Sequence, residues 1–132
     1  KPHQDNSYAK MKNNGYITTN LFINKCFKEN GTLYLYPGSH KNGLLNSNEY
    51  CSYHARKNQN PGNRVKLKLS DLKKIDLKIN AGDYLIMNGN LVHGSYGNFS
   101  KKHSRHLLSF NYGIKNLNFY PGYTARRQAI DL

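Results

Sequence analysis

The chain contains Tyr16-Ile17-Thr18-Thr19-Asn20-Leu21-Phe22-Ile23, a stretch rich in β-branched and aromatic residues that is typical of a β-strand. The stretch Thr32-Leu33-Tyr34-Leu35-Tyr36 has the same character and is followed by the turn-forming pair Pro37-Gly38. Apolar residues alternate with charged ones in Val65-Lys66-Leu67-Lys68-Leu69 and in Ile75-Asp76-Leu77-Lys78-Ile79. Residues 83–87 and 105–112 are the remaining predicted strands. The period of two indicates that alternate side chains face opposite sides of a sheet.

Short strands separated by turns favour an all-β fold, either a sandwich or a barrel. Only residues 70–74 suggest a helical turn, with Ser70 as its cap. Residues 41–63 are rich in Asn, Ser, Gly and Lys and have no sustained period, so we predict a long surface loop there. Within this loop, one short helical turn is expected near residues 49–56. The length of 132 residues predicts a single domain over residues 1–132.

The formal net charge is +13, from 20 Lys and Arg against 7 Asp and Glu. Such an excess attracts polyanions, so a nucleic-acid partner is one hypothesis. The basic residues are dispersed without a run of five like charges, which favours solvated lysines and argues against a nucleic-acid partner. No apolar run is long enough to span a membrane, so no membrane partner is expected. Two cysteines, Cys26 and Cys51, exclude a disulfide scaffold and a four-cysteine zinc site, and with no signal-peptide pattern they favour a cytoplasmic protein.

His3-Gln4-Asp5 offers an imidazole and a carboxylate two residues apart, and on a strand such residues face the same side. By itself this pattern also fits a surface His beside a turn Asp. His93, after the apolar run 84–87, adds a second imidazole, although it also fits a half-buried His that hydrogen-bonds its neighbours. Two His and one carboxylate are the facial triad of non-haem Fe(II) oxygenases. A zinc hydrolase fits less well, because such enzymes usually have a nearby Glu base and only Glu29 and Glu49 are present.

Arg105 follows His93 by twelve positions and begins the last predicted strand. A guanidinium binds a carboxylate through two parallel hydrogen bonds. Arg105 is therefore a candidate for holding the distal carboxylate of a cosubstrate that chelates the metal. Taken singly, it also fits a surface arginine beside Lys101, Lys102 and His103.

Several motifs occur in a fixed order: His3-Gln4-Asp5 with Tyr8, Glu29-Asn30-Gly31-Thr32-Leu33-Tyr34-Leu35-Tyr36-Pro37-Gly38-Ser39-His40, Ala81-Gly82-Asp83, and His93-Gly94-Ser95 followed by Asn98, Ser100 and Arg105. Together they resemble the phytanoyl-CoA dioxygenase family of Fe(II)/2-oxoglutarate-dependent oxygenases, over nearly the whole chain. The resemblance implies an all-β double-stranded β-helix, the cupin-like jelly roll. It also implies a place for residues 1–132 as the C-terminal portion of such a core, without the N-terminal strand and helices.

The resemblance further implies roles for individual residues. The implied Fe(II) ligands are His3, Asp5 and His93. The implied residues for the cosubstrate 2-oxoglutarate are Arg105, with Ser95 and Gln4 as helpers. The segment Pro37-Gly38-Ser39-His40 is expected to shape the pocket rim, and His40 is a further candidate for substrate contact.

The implied reaction is hydroxylation of an unactivated C–H bond of a small organic substrate. O2 is the oxidant, and 2-oxoglutarate is decarboxylated to succinate. Related halogenases lack the carboxylate ligand, so the presence of Asp5 favours hydroxylation. An unpaired sheet edge left by the absent strand predicts association into a homo-oligomer.

Three departures from the family pattern qualify these expectations. Arg105 lies one residue later than usual, so His103 and His106 define alternative registers. Asn20 stands where many members have a Trp near the cosubstrate. Only two residues precede His3, where members carry a long N-terminal portion.

Two alternative functions remain open from the sequence. One is a basic β-barrel that binds single-stranded nucleic acid, with tyrosines as stacking platforms for the bases. The other is an inactive fragment of the oxygenase fold that binds no metal.

Overall fold

The computed structural model describes residues 2–45, 47–50, 62–65, 72–119 and 130–131. Its helical elements are short: α1 spans Asn6–Ala9, and two 3₁₀ turns span Lys28–Asn30 and Ser39–Asn42. The strands are β1 Tyr16–Phe22, β2 Leu33–Leu35, β3 Ser47–Tyr50, β4 Gly62–Val65, β5 Ile75–Asp76, β6 Tyr84–Asn88, β7 His93–Ser95 and β8 Leu107–Gly113. Strands therefore dominate the described part of the chain, in agreement with the period of two.

The strands form two antiparallel sheets of three strands each and a separate hairpin. The first sheet has the order β6-β1-β8 and the second has the order β5-β2-β7. The chain passes repeatedly from one sheet to the other, because β1, β6 and β8 alternate in sequence with the strands of the second sheet. β3 and β4 pair only with each other, from Ser47 opposite Val65 to Tyr50 opposite Gly62.

The two faces of the first sheet follow the alternation along β1. Thr18, Asn20 and Phe22 point inward and are buried, whereas Ile17 on the opposite face is exposed. Phe22 packs between the sheets in an apolar core with Cys26, Leu33 and Ile79. At the other end of the same inward face, the space between the sheets is lined by a mixture of polar and apolar side chains. The core therefore fills one end of the interior and leaves a cavity at the other.

The predicted strand over residues 75–79 is interrupted. Ile75–Asp76 pairs with β2, the Leu77 N–H donates a last 2.9 Å hydrogen bond to the Leu33 carbonyl oxygen, and Ile79 forms a separate bridge with Cys26. The Thr32 hydroxyl donates a 2.8 Å hydrogen bond to the carbonyl oxygen of Leu77 and occupies that acceptor at the break. The predicted strand 65–69 and the first two residues of the predicted helical turn 70–74 lie outside the described residues, apart from Val65 in β4. The rest of that turn, residues 72–74, is not helical.

The predicted long surface loop over residues 41–63 contains short regular elements at both ends. Lys41 and Asn42 belong to the 3₁₀ turn, and the segment also contains β3 and the start of β4. The predicted helical turn near residues 49–56 begins within β3, and residues 51–56 lie outside the described part. Backbone pairing between β3 and β4 gives this polar segment strand structure without any alternation of apolar side chains.

Among the described residues, no helix has the length and apolar character needed to cross a membrane.

Candidate metal centre

The segment His3-Gln4-Asp5 does not form a continuous strand, so the geometric basis of that prediction is wrong. His3 forms an antiparallel bridge with His93, through hydrogen bonds of 2.9 Å and 3.0 Å between their backbone amides and carbonyls. Asp5 already has helical backbone angles (φ −63°, ψ −35°) and immediately precedes α1. Its carboxylate makes no capping hydrogen bond to the helix, although Asp is a preferred cap. The turn into α1 brings the Asp5 carboxylate back toward His3 and His93.

Gln4, and Asn6 directly after the segment, anchor it to Asn90 in the loop between β6 and β7. The Gln4 side chain is 1% exposed, and its amide nitrogen donates to the carbonyl oxygens of Asn90 (2.6 Å) and Gly43 (2.8 Å). Its amide oxygen accepts a hydrogen bond from the backbone N–H of Leu45. Gln4 was expected to assist 2-oxoglutarate, but its amide is bonded to three backbone groups and it is not among the residues that line the cavity.

Asn6 extends the same anchor. Its amide nitrogen donates to the side-chain oxygen of Asn90 at 2.9 Å and to the carbonyl of Met11 at 2.8 Å. Asn90 in turn donates to the side-chain oxygen of Asn14 at 2.6 Å. This network was not predicted, and its only signal in the sequence is the polar composition of Asn88-Gly89-Asn90 directly before the His93 strand. Gln4 and Asn6 hold the backbone in place, while His3 and Asp5, which alternate with them along the chain, face the interior.

His93 is positioned by the Pro37-Gly38-Ser39 turn and by its own backbone. The Ser39 hydroxyl, which is buried, accepts a 2.8 Å hydrogen bond from the N–H of Val92, next to His93. His93 is 5% exposed, and its Nδ1 lies 3.0 Å from the Leu91 carbonyl oxygen. A carbonyl oxygen only accepts, so Nδ1 carries the proton and Nε2 presents its lone pair. The turn therefore supports the strand that carries His93, whereas none of its residues is among those that line the cavity.

The three implied ligands converge on one point. The Asp5 carboxylate oxygen lies 3.4 Å from Nε2 of His3 and 3.5 Å from Nε2 of His93. One ligand atom from each residue lies within 4.8 Å of the other two, and the imidazole centroids are 4.5 Å apart. The sequence separates His3 from His93 by ninety positions, and the bridge between their backbones brings them together.

The electrostatics of the cluster suit a cation. Burial raises the pKa of the Asp5 carboxyl, but hydrogen bonds from His3 and Thr18 and the charge of His93 outweigh it and lower that pKa to about 2. Burial lowers the pKa of His93 below its ordinary value, against the attraction of Asp5. At neutral pH the cluster thus offers a charged carboxylate and a neutral imidazole. These are the protonation states that metal binding requires.

The cluster opens into a cavity of about 180 Å³ between the two sheets. The lining residues are His3, Asp5, Thr18, Asn20, Leu33, Met87, His93, Gly94, Ser95, Leu107 and Ser109. Ser95, the expected helper for 2-oxoglutarate, is one of these lining residues. Gly94 lies against the Tyr34 side chain, and a Cβ added at this position would force the Tyr34 ring to move.

Arg105 and the nearby histidines lie outside this lining. Arg105 is half-buried, two residues before the lining residue Leu107, and its charge acts on the buried Cys26 thiol, whose pKa burial raises. His103 packs edge-on against the Phe27 ring, and Nδ1 of His106 lies 2.9 Å from the Asn24 side-chain oxygen. His40, in its 3₁₀ turn, does not reach the cavity either.

The donor set fits a divalent first-row metal ion. Two imidazole nitrogens and one carboxylate oxygen suit Fe(II), and three ligands on one side leave positions for other molecules. The hydrogen bond from His93 to the Leu91 carbonyl is the kind of outer contact that orients metal-bound histidines. The residues present therefore fit the group that the sequence implies.

Similarity to solved structures shows the fold. The chain resembles the α-ketoglutarate-dependent carbocyclase SnoK from nogalamycin biosynthesis, at 18% identity and a TM-score of 0.65, over 94% of this chain and 46% of that one. It resembles the epimerase SnoN in complex with Fe³⁺, α-ketoglutarate and nogalamycin RO, at 15% identity and a TM-score of 0.62, over 86% and 41% of the two chains. The predicted cupin-like jelly roll is confirmed by these likenesses together with the two antiparallel sheets.

Sequence similarity shows the family. "Phytanoyl-CoA dioxygenase 1" of Oryza sativa subsp. japonica is 32% identical over 112 residues, and "Phytanoyl-CoA dioxygenase" of Arabidopsis thaliana is 33% identical over 110 residues. Each match covers 83% of this chain but only 37% of the relative, so the chain spans little more than a third of their length. The sequence profile "Phytanoyl-CoA dioxygenase (PhyH)" matches residues 1–107. The chain belongs to the phytanoyl-CoA dioxygenase family.

Proposed function

We propose that this chain carries the iron and 2-oxoglutarate site of a dioxygenase that hydroxylates an unactivated C–H bond of a small organic substrate. His3, Asp5 and His93 hold Fe(II) in this proposal. One oxygen atom of O2 enters the hydroxyl group of the product and the other enters succinate, while 2-oxoglutarate loses CO2. The observation that carries the proposal is the convergence of three ligand atoms within 4.8 Å at the mouth of a cavity.

The chain's own residues supply geometry, charge and a partly dry wall. Asp5 brings a negative charge, and the Leu91 carbonyl keeps the lone pair of His93 directed at the same point. Leu33, Met87 and Leu107 give the cavity an apolar side that limits the access of water. When bound, Fe(II) with 2-oxoglutarate supplies O2-dependent oxidation, and the protein supplies binding and orientation.

Hydroxylation is the finer part of the proposal. Similar structures include an epimerase and a carbocyclase, so the fold admits more than one outcome. Asp5 supports hydroxylation, because it leaves no vacated ligand position for a halide. The substrate is proposed as a small organic molecule, in keeping with a narrow cavity of about 180 Å³.

The first test is metal binding. The protein is loaded with Fe(II) without oxygen, and bound iron is counted after gel filtration. One iron per chain is expected for the wild type. His93→Ala should weaken iron by more than the roughly 10–100-fold that loss of an outer contact causes. The matched control is His103→Ala, which removes an exposed imidazole beside Phe27. Equal iron binding by both variants, or none by the wild type, would favour an inactive fragment of the fold.

The second test is cosubstrate binding. A titration with 2-oxoglutarate, followed by the visible charge-transfer band of the iron chelate, gives its affinity. If Arg105 binds the distal carboxylate, Arg105→Ala should weaken 2-oxoglutarate about ten- to a hundredfold. Arg105→Lys should recover only part of this loss, because an ammonium cannot form the two-pronged contact. If His106→Ala loses affinity for 2-oxoglutarate and Arg105→Ala does not, Arg105 has been placed in the wrong register.

A further inference from the structure

Asn20 differs from the other buried asparagines. It lies in the middle of β1, is 6% exposed and lines the cavity beside the three candidate ligands. Asn6, Asn30 and Asn90 all donate hydrogen bonds to protein groups. The Asn20 amide, by contrast, has no hydrogen-bond partner among the residues that the structure describes. No fully enclosed side-chain nitrogen or oxygen atom lacks a partner in that part of the chain, so the Asn20 amide must reach the open space of the cavity.

An amide in this position is suited to bind a ligand. An amide that faces the cavity without a protein partner keeps its two N–H donors and its oxygen acceptor available to a bound ligand. Ser109 on β8 lies directly across from Asn20, and both line the same cavity. Side chains opposite each other on one face of an antiparallel pair are about 4.5–5.5 Å apart at Cβ. An NH2 group and a hydroxyl at that separation are two donors that converge on one acceptor group.

The chemistry of the cavity favours a carboxylate as that acceptor. Asn20 and Ser109 carry no charge that would clash with an anion, and both can donate. Asn20 lies two residues from Thr18, which is about 7 Å along β1. The Thr18 hydroxyl contacts Asp5. A ligand that touches both the metal and Asn20 is therefore short. The volume of about 180 Å³ also lies below the roughly 300–1,000 Å³ of sites for drug-sized ligands.

We propose that Asn20 and Ser109 bind a carboxylate group of 2-oxoglutarate inside the cavity. This inference rests on the proposed function, since it assigns a second contact region to the same cosubstrate. The bound metal offsets the repulsion that the Asp5 carboxylate exerts on an incoming dianion. The Asn20 amide donates a hydrogen bond to the carboxylate of 2-oxoglutarate. A negative charge placed at residue 20 would repel that carboxylate.

The test compares the loss of the amide with the introduction of a charge. Asn20→Leu removes the donor at nearly constant volume, and Asn20→Asp keeps the shape but adds a negative charge. The control is Asn80→Asp, which makes the same charge change at an exposed turn residue. Each protein is loaded anaerobically with Fe(II), the iron affinity is measured first, and 2-oxoglutarate is then titrated by its charge-transfer band. Isothermal titration of the Co(II)-loaded proteins gives the same affinity without that band.

Asn20→Leu should weaken 2-oxoglutarate about ten- to a hundredfold, because hydrogen bonds to charged groups are worth this much. Asn20→Asp should weaken it further, while Asn80→Asp binds like the wild type. Iron affinity should stay unchanged in Asn20→Leu and in Asn80→Asp. Ser109→Ala, a smaller change on the partner strand, should also lower the affinity for 2-oxoglutarate. It provides the test if the protein does not fold with a substitution at residue 20.

Three results would overturn the inference. Wild-type affinity for 2-oxoglutarate in both Asn20 variants would refute it while leaving the proposed function intact. Equal losses in Asn20→Leu and Asn20→Asp, accompanied by weaker iron binding, would indicate a purely structural role. A wild-type protein that binds iron but no 2-oxoglutarate would refute the inference together with the proposed function.

Discussion

The Asp5 carboxylate is held in its ionised form by three neighbouring side chains. It lies within 3.5 Å of Nε2 of both His3 and His93, and it also receives a hydrogen bond from Thr18. These contacts stabilise the ionised form more than burial destabilises it, so the pKa falls to about 2. His93 is held neutral by burial, with its proton on the side of Leu91. The centre is thus set up for a cation before one binds.

The lowered pKa of Asp5 predicts an acid-sensitive contribution to folding. The folded pKa is about 2, against an ordinary value of 3.8, so the unfolded chain binds the proton more tightly. The resulting stability, about 2 kcal/mol, is present above pH 3.8 and is lost as the pH falls toward 2. Denaturant unfolding of the metal-free protein from pH 5 to pH 2 measures it. Asp5→Asn should remove this part of the pH dependence; an unchanged profile in Asp5→Asn would contradict it.

Thr18 is predicted to hold Asp5 in place for the metal. Its hydroxyl lies 3.0 Å from the side-chain oxygen assigned to Asn111 and also contacts Asp5. A hydroxyl has one proton to donate. When the Asn111 amide presents its NH2 group to Thr18, the Thr18 hydroxyl donates that proton in a hydrogen bond to Asp5. Thr18→Val should weaken Fe(II) about ten- to a hundredfold, and Thr18→Ser should restore it. A chelator competition measures this, and equal affinities of Thr18→Val and Thr18→Ser would exclude the role.

The residue types of the metal ligands could be predicted from the sequence, whereas their supports could not. His and Asp at short spacing have a recognisable chemistry, and the structure brings His3, Asp5 and His93 together. Gln4 and Asn6 have the same residue types whether they contact a ligand or the backbone, so only their partners reveal the anchor. The Asn20 amide likewise could not be singled out from the sequence, because it differs from the other buried asparagines only in having no partner among the described residues.

Asn90 connects α1 to β7 and so fixes the two halves of the centre relative to each other. Its backbone carbonyl accepts from Gln4, and its side chain binds Asn6 and Asn14. Asn90→Ala leaves the Asn6 donor and the Asn14 acceptor without this partner, which should cost about 1–3 kcal/mol of unfolding free energy. Urea unfolding checks this, with the exposed Asn98→Ala as the control. Equal stabilities of the two variants would remove Asn90 from this role.

The strands that could be predicted are those whose side chains alternate. β1, β2, β6 and β8 fall on apolar or β-branched stretches that place one face in the interior. β3 has the sequence Ser47-Asn48-Glu49-Tyr50, which carries no such pattern, and its structure rests on pairing with β4. α1 is a single turn, shorter than any helical period, so no periodic signal could indicate it.

The tyrosines of the second sheet argue against a nucleic-acid surface. Tyr34 and Tyr36 are buried and pack edge-to-face with ring centroids 6.1 Å apart. Tyr96 packs against Tyr34, and its hydroxyl binds Asp76 while it accepts from Lys74. Rings that are occupied in this way offer no open faces on which bases could stack. The tyrosines described here therefore support the fold of the second sheet.

The outer face of the first sheet is predicted to make the chain self-associate. Its exposed apolar residues are Ile17, Tyr84, Ile86, Leu108, Phe110 and Tyr112, on three adjacent strands. The net charge of +13 opposes association, so salt should strengthen it by screening. Sedimentation velocity over a range of salt and protein concentrations measures this. Phe110→Lys should shift the protein toward monomer, whereas Phe99→Lys, at another exposed aromatic, should not; a wild type that stays monomeric throughout would contradict the prediction.

The ligand environment of the bound iron is the most direct test of the metal centre. X-ray absorption at the iron edge, on protein loaded anaerobically with Fe(II), counts imidazole ligands and detects sulfur. With His3, Asp5 and His93 as ligands, the spectrum should contain two imidazoles and only oxygen besides them, and His93→Ala should lose one imidazole. Addition of 2-oxoglutarate should replace oxygen ligands and leave both imidazoles in place. A spectrum with sulfur scattering, or with fewer than two imidazoles in the wild type, would contradict this assignment.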